Sequence, residues 1–256
     1  MRRLVRDDRY RWLAAPARTL WYYWRTIGEL RHLPAVMLRL RRSQRSMPTP
    51  ELVDYVFSNF GGMFRPFQNR VELQRFMQRA EQLKPRSMLE IGTARGGTLF
   101  LLSTVAAPDA EIISIDLPAG LHGGGYPRWK GRLYRRLMGA GQTLHLIRGN
   151  SHDDRTFEKA QRLLAGRSVD LLFIDGDHSY EGAKSDFLRY RSLVRPGGIV
   201  AFHDILENKN APEIRVAPLW REVVEVYRSE EIVESYNQGG FGIGLVTAPP
   251  RWDAHP

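Results

Sequence analysis

Between Val169 and Ile205 the chain runs VDLLFIDGDHSYEGAKSDFLRYRSLVRPGGIVAFHDI. Asp175, Asp177 and His178 fall in one acidic loop, and His203 and Asp204 in a second. Carboxylates and imidazoles gathered in this way can do two kinds of work. Oxygen and nitrogen donors together hold a divalent cation. An imidazole, with an ordinary pKa near ~6.5, takes a proton from a hydroxyl at neutral pH. The bland reading of Asp177 is a turn former or helix N-cap, with Ser179 the other candidate for that cap.

The elements around these loops say how they come together. Leu171–Asp175 and Gly198–His203 are apolar runs of strand length. Tyr180, Ala183, Phe187, Tyr190 and Leu193 between them have helical spacing, and parallel neighbours need such a crossover. In an open parallel sheet, ligands bind at the C-terminal strand ends. The same alternation extends N-terminally, with strands at Ser87–Ile91, Glu111–Leu117 and Thr143–Arg148 and helices at Gly97–Ala107 and Asp154–Leu164. An amphipathic helix carrying Leu73, Phe76, Met77, Ala80 and Leu83 comes before them and stops at Pro85. Leu219–Tyr227 is expected to be helical, and Ile232–Tyr236 with Gly242–Val246 to form a terminal strand pair. The fold class is α/β, a doubly wound, Rossmann-like, mostly parallel sheet. Pro118 to Gly141 is expected to be an irregular lid or substrate-facing insertion.

A second constellation lies at the first strand end, Glu90-Ile91-Gly92-Thr93-Ala94-Arg95-Gly96-Gly97. The glycines let backbone approach a ligand and turn sharply into a helix. Asp116 closes the next strand and can accept both hydroxyls of a ribose. A dinucleotide site needs G-x-G-x-x-G so that a helix start holds the pyrophosphate. This chain has G-x-x-x-G-G behind Glu90, an acid that repels pyrophosphate but pairs with an ammonium group. A cationic, phosphate-free ligand such as S-adenosylmethionine is favoured, and no P-loop sequence is present.

LEIGTARGG, ISIDL, GNS at 149–151, FIDGDHSYEG and RPGGIVAFHD together resemble class I S-adenosylmethionine-dependent methyltransferases. More narrowly, they are similar to the cephalosporin hydroxylase-like and macrolide-sugar O-methyltransferase group. The resemblance covers about residues 65–247 and implies a seven-stranded sheet. It also implies that Glu90, Gly92, Thr93 and Gly96 form the cofactor turn, that Asp116 binds ribose, and that Ser151 lies near the adenine. Asp175 would lie at the cofactor and hold Mg²⁺ or another divalent metal with Asp204. His178 would be the general base. Where relatives carry an acidic pair after the last parallel strand, this chain has His203-Asp204, so His203 enters the set of metal candidates. Two other functions stay open: a nucleotide-cofactor oxidoreductase on the same fold, and a membrane-recruited, non-catalytic cofactor-binding protein.

Composition bounds the rest. The absence of cysteine excludes disulfides and thiolate chemistry. The formal net charge is +10, but residues 1–45 carry 12 arginines against Asp7, Asp8 and Glu29, a net of +9. Residues 1–48 are therefore expected to be a separate basic, helical extension, with Ser43–Pro50 as linker and the methyltransferase domain over 49–256. Trp12, Trp21 and Trp24 beside arginine suit an anionic membrane surface. Packing of Leu20, Trp24, Ile27 and Leu30 on the domain or on a second subunit is the competing reading. Nucleic acid ranks last. No secretory signal is expected, so the location is cytoplasmic, at or near the inner face of a membrane. The expected acceptor is a hydroxylated small molecule, a sugar or glycolipid among the candidates.

Overall fold

The computed structural model describes residue 28 and residues 31–34, 47–118 and 125–252. The expected membrane-facing helix, with Leu20, Trp24, Ile27 and Leu30, lies outside the described residues, as does 119–124 of the insertion. Two helices open the fold: α1 (Thr49–Ser58) and α2 (Arg70–Leu83). There follow β1 (Ser87–Ile91), α3 (Gly97–Val105), β2 (Glu111–Asp116), α4 (Lys130–Leu137), β3 (Thr143–Arg148) and α5 (Asp154–Leu164). The chain then continues through β4 (Val169–Ile174), α6 (Tyr180–Tyr190), β5 (Val194–His203), α7 (Val216–Val226), β6 (Ser229–Ile232) and β7 (Ile243–Thr247).

The strands form one sheet in the order β3-β2-β1-β4-β5-β7-β6. The first five are parallel to their neighbours, and β7 is antiparallel to both β5 and β6. Parallel strands bury both faces, and the sequence supplies apolar residues on each. In β4, Leu171 and Phe173 join one core, with α1, α2 and α3; Val169, Leu172 and Ile174 join the other, with α5, α6 and α7. No helix among the described residues is long and apolar enough to cross a membrane.

Register decides what meets at the carboxyl edge. Ile115, Ile91, Ile174 and Phe202 stand level across β2, β1, β4 and β5. Asp116, Gly92, Asp175 and His203 are the next residues, so the four emerge side by side.

Three expectations are corrected. Pro48 and Pro50 do not extend a linker: Pro48 caps α1 and Pro50 lies in its first turn, where the missing N–H costs nothing. The insertion is not wholly irregular, because Lys130–Leu137 forms a helix that buries Leu133, Tyr134 and Leu137. The first strand of the terminal pair is Ser229–Ile232 rather than Ile232–Tyr236. It is an edge strand whose exposed Ser229, Glu230 and Glu231 mask it in a search for apolar runs, and charge on an edge discourages pairing with other chains.

Candidate active site

The turn after β1 is built by exclusion of side chains. Gly92 has φ +101°, and a Cβ there would stand 2.0 Å from the Asp175 carbonyl oxygen. Gly96, the N-cap of α3, has φ +77°, and the Tyr134 ring fills the place of its Cβ. Only glycine satisfies both demands at these two points. The Gly92 N–H donates to Ile115 O at 2.8 Å, locking the turn to β2.

Glu90 is 1% exposed and lies under this turn. Ser114 Oγ donates to its Oε2 at 2.6 Å, and Thr93 Oγ1 stands 2.5 Å from Ser114 Oγ. Its Oε1 is buried with no hydrogen-bond partner. Burial pushes the Glu90 carboxyl up to about 8, with Asp175 and Asp116 adding to the rise. Asp116, at the end of β2, accepts the Ala94 N–H at 2.6 Å and the Gly125 N–H at 3.2 Å through Oδ2. Burial raises it to about 7 against those backbone donors. Ser151 is buried beyond β3, and the Tyr190 hydroxyl donates to its carbonyl at 3.0 Å.

The second constellation assembles as the sequence implied. Asp175, His178, His203 and Asp204 each offer a ligand atom, and these atoms lie within 4.8 Å of one another. His178 Nδ1 is 3.0 Å from Asp204 Oδ2. His203 Nδ1 is 2.9 Å from Asp175 Oδ1 and 3.4 Å from Asp204 Oδ2. Asp204 follows β5 in the left-handed region at φ +62°, uncommon for an aspartate, and that twist turns its carboxylate back toward both imidazoles. Burial alone would lower the His178 pKa, but the Asp204 hydrogen bond and the Asp175 charge overcome it and the net shift is upward. His203 is raised further by Asp204 and Asp175, again against burial. Burial would raise Asp204, yet His203 and His178 hold it well below the carboxylate range.

Asp177 is not the helix cap. Its Oδ1 accepts the Ser179 N–H at 2.9 Å, and Ser179 Oγ accepts the Gly182 N–H at 3.0 Å, so Ser179 caps α6. The Asp177 turn fixes the path of the loop on which His178 sits. His145 and His152 are structural, facing Glu111 at 2.9 Å and Asp186 at 3.5 Å.

Gln68, just before α2, is the residue that sequence reasoning missed. Its Nε2 donates to Asp175 Oδ2, and Thr98 Oγ1 donates to its Oε1 at 3.1 Å. An ionised carboxylate only accepts, so the amide nitrogen must face Asp175. Thr98 is in the first turn of α3, so Gln68 couples the turn after β1 to the Asp175 carboxylate. A lone glutamine carries no spacing signal, so nothing in the sequence singled it out. Phe60 and Phe64 are core, whereas Phe67 is 55% exposed over the Arg95 guanidinium. Across the cluster, the half-exposed Phe241 ring lies 6.1 Å from the His203 ring.

Known proteins share this fold. Residues 89–205 match the family model described as a methyltransferase domain. Among solved structures, the O-methyltransferase TomG of Streptomyces achromogenes, in complex with S-adenosylmethionine, is 16% identical with a TM-score of 0.51. That match covers 80% of this chain and 91% of TomG. An O-methyltransferase of Bacillus cereus, in complex with S-adenosylhomocysteine, is 15% identical with a TM-score of 0.51 over 78% of this chain and 93% of the other. At such identity the likeness is one of fold. Residues 89–205 thus resemble a methyltransferase domain, and beyond them the likeness to the O-methyltransferases is one of fold. Two curated relatives are themselves uncharacterized. One, from Sinorhizobium fredii, is 34% identical over 126 residues, 48% of this chain and 13% of its own length. The other, from Acanthamoeba polyphaga mimivirus, is 31% identical over 129 residues, 50% of this chain and 56% of its own length. The matched region thus spans only part of either relative.

Proposed function

We propose that the chain transfers a methyl group from S-adenosylmethionine to a hydroxyl oxygen of a small molecule. The observation that carries this reading is the adjacency of two sites at neighbouring strand ends, a buried carboxylate cradle at Glu90 and Asp116 and the His/Asp cluster. The cradle fits the cofactor. Glu90 Oε1 is a buried acceptor without a donor, as an ammonium group requires. Once ionised, the same acid would repel a pyrophosphate, and while protonated it offers one no positive charge, which counts against the oxidoreductase alternative. When bound, S-adenosylmethionine supplies a sulfonium-activated methyl group. Gly92, Thr93 and Gly96 admit its backbone-close portion, Asp116 accepts its ribose hydroxyls, and Ser151 borders its adenine.

On the acceptor side, Asp204 takes up the Nδ1 side of His178, so proton removal from the acceptor hydroxyl falls to Nε2. Asp175, Asp204 and His203 would hold a divalent cation, which supplies positive charge for a developing alkoxide. A sugar or glycolipid is the acceptor class we favour, because the partly exposed Phe241 ring beside His203, with Phe67 exposed next to Gln68 in the chain, suits the C–H face of a pyranose.

The test of this reading is calorimetric titration with S-adenosylhomocysteine across pH. Glu90 is protonated below about 8 in the free protein and must lose that proton to pair with the ligand's ammonium group. Affinity is therefore expected to rise with pH up to about 8, by as much as about tenfold per unit. Buffers of different ionisation enthalpy will then show proton release on binding. The free protein follows the opposite trend. In unfolded chain both acids ionise near their ordinary values, so the native state binds more protons between those values and about 8 for Glu90 or about 7 for Asp116. Its stability falls across that window as pH rises, by up to about 1.4 kcal/mol per unit for each group. Absence of binding at millimolar ligand at pH 8 would end the methyltransferase reading.

We also propose that residues 1–45 attach the protein to an anionic membrane surface. Support comes from their composition, +9 of the +10 formal charge with Trp12, Trp21 and Trp24 among the arginines. A chain lacking residues 1–45 is expected to keep S-adenosylhomocysteine binding but to lose salt-sensitive binding to phosphatidylserine vesicles. Insoluble or ligand-dead truncated protein, with a full-length chain indifferent to vesicles, would make the segment a packing or oligomerisation element instead.

A further inference from the structure

The cluster differs from an all-carboxylate magnesium site in one position, and the geometry there is informative. His203 is 4% exposed, and its Nε2 is buried without a hydrogen-bond partner. Yet Nδ1 has two carboxylate oxygens close by, Asp175 Oδ1 at 2.9 Å and Asp204 Oδ2 at 3.4 Å, without hydrogen-bond alignment to either. Donor atoms that converge at such distances without aligned hydrogens are spaced as ligands are around a common centre. Neighbouring ligands of an ion with bonds of about 2.1 Å stand roughly 3.0 Å apart in an octahedron and 3.4 Å apart in a tetrahedron.

We propose that His203 is a nitrogen ligand, and that the cluster selects a borderline divalent transition ion, of the Mn²⁺, Fe²⁺, Co²⁺ or Zn²⁺ kind, over Mg²⁺. This rests on the reading of Asp175, His203 and Asp204 as a metal site. Magnesium prefers oxygen ligands and parts reluctantly with water, whereas imidazole suits the later first-row ions. The surroundings hold the donors in place. Gln68 occupies Asp175 Oδ2, which leaves Oδ1 to the shared centre. His203 pairs with Ile243 in the β5–β7 ladder, and Phe241 lies against its ring. The Asp204 carboxylate is buried between His178, at 3.0 Å, and His203, at 3.4 Å.

The experiment uses the full chain, stripped with EDTA and titrated with Mn²⁺. Pulsed electron paramagnetic resonance of the bound ion is expected to show modulation from an imidazole ¹⁴N, replaced by the ¹⁵N pattern when the protein is grown with ¹⁵N-histidine. The modulation is expected to survive His178→Ala and to vanish in His203→Glu. Competition calorimetry is expected to give a Mn²⁺ preference over Mg²⁺ that narrows at least tenfold in His203→Glu. The change between variants matters more than the preference itself, since most sites favour later ions to some degree. Bound Mn²⁺ without nitrogen modulation would overturn the assignment and leave an oxygen-only metal site, and modulation lost in His178→Ala but retained in His203→Glu would overturn it in favour of His178 as the nitrogen ligand. No bound ion of either kind would overturn the metal reading itself. The isotope comparison in the native chain and in His178→Ala needs no substitution at residue 203, so misfolding of His203→Glu would not blunt the test.

Discussion

Replacing His178 by alanine is expected to lower turnover about 100-fold or more while S-adenosylhomocysteine affinity stays within a few-fold, the pattern of a lost general base. The side chain is 20% exposed at the rim of the cluster, so its removal leaves no deep cavity and thermal stability is expected to change little. Transfer is measured with methyl-labelled S-adenosylmethionine on an acceptor found among hydroxylated aglycones, sugars and glycolipids. A parallel collapse of cofactor affinity would show that His178 holds the loop after β4 rather than taking a proton. That loop has other supports, which is why the separation is expected. The Arg215 N–H donates to the His178 carbonyl at 2.7 Å, and the Asp177 turn fixes the backbone on the other side, and neither depends on the imidazole.

A larger structural effect is expected from Gly92→Ala. The added methyl meets the Asp175 carbonyl oxygen at 2.0 Å, and φ +101° is hostile to any L side chain. Backbone against backbone has no flexible side chain to give way. Strain of this kind, with displacement of the neighbouring strand end, is worth about 3 kcal/mol or more. The melting temperature is expected to fall by about 6–12 °C, with loss of ligand binding because Glu90 and Asp175 flank the clash. An alanine variant with native melting temperature and affinity would show that the two strand ends are not in fixed contact. Gly62, where an added methyl would meet nothing within 4 Å, serves as a control that isolates the cost of positive φ alone.

The two constellations were legible in the sequence because strand ends are marked by apolar runs, and the residue after each run must emerge at the carboxyl edge. Asp116, Asp175 and the His203-Asp204 pair needed only that count. Which atoms then touch was not legible. The left-handed backbone of Asp204 and the Gln68 contact depend on packing between segments far apart in the chain. Helix α4 escaped notice because arginines and Gly131 dilute its apolar stripe, and α1 because proline reads as a breaker until its place in the first turn is known. Edge strand β6 was misplaced by three residues because its exposed face carries glutamates where a buried strand would carry valine or isoleucine.

One buried acid bears on how this protein can be altered. Glu72, on α2 and wholly inaccessible, gathers the Glu234 N–H at 3.1 Å, the Gln238 side chain at 2.6 Å and the Gly242 N–H at 2.9 Å. The connection between β6 and β7, with Phe241 at its end, is thus fastened to the opening of the fold and not to the cofactor half of the sheet. On the proposed reading, selectivity for one acceptor over another can therefore drift, or be engineered, by rewriting side chains of residues 234–241 while Glu72 and the Leu206 N–H, which donates to the Phe241 carbonyl at 2.9 Å, hold the backbone's course. The machinery for recognising the methyl donor would keep its shape throughout.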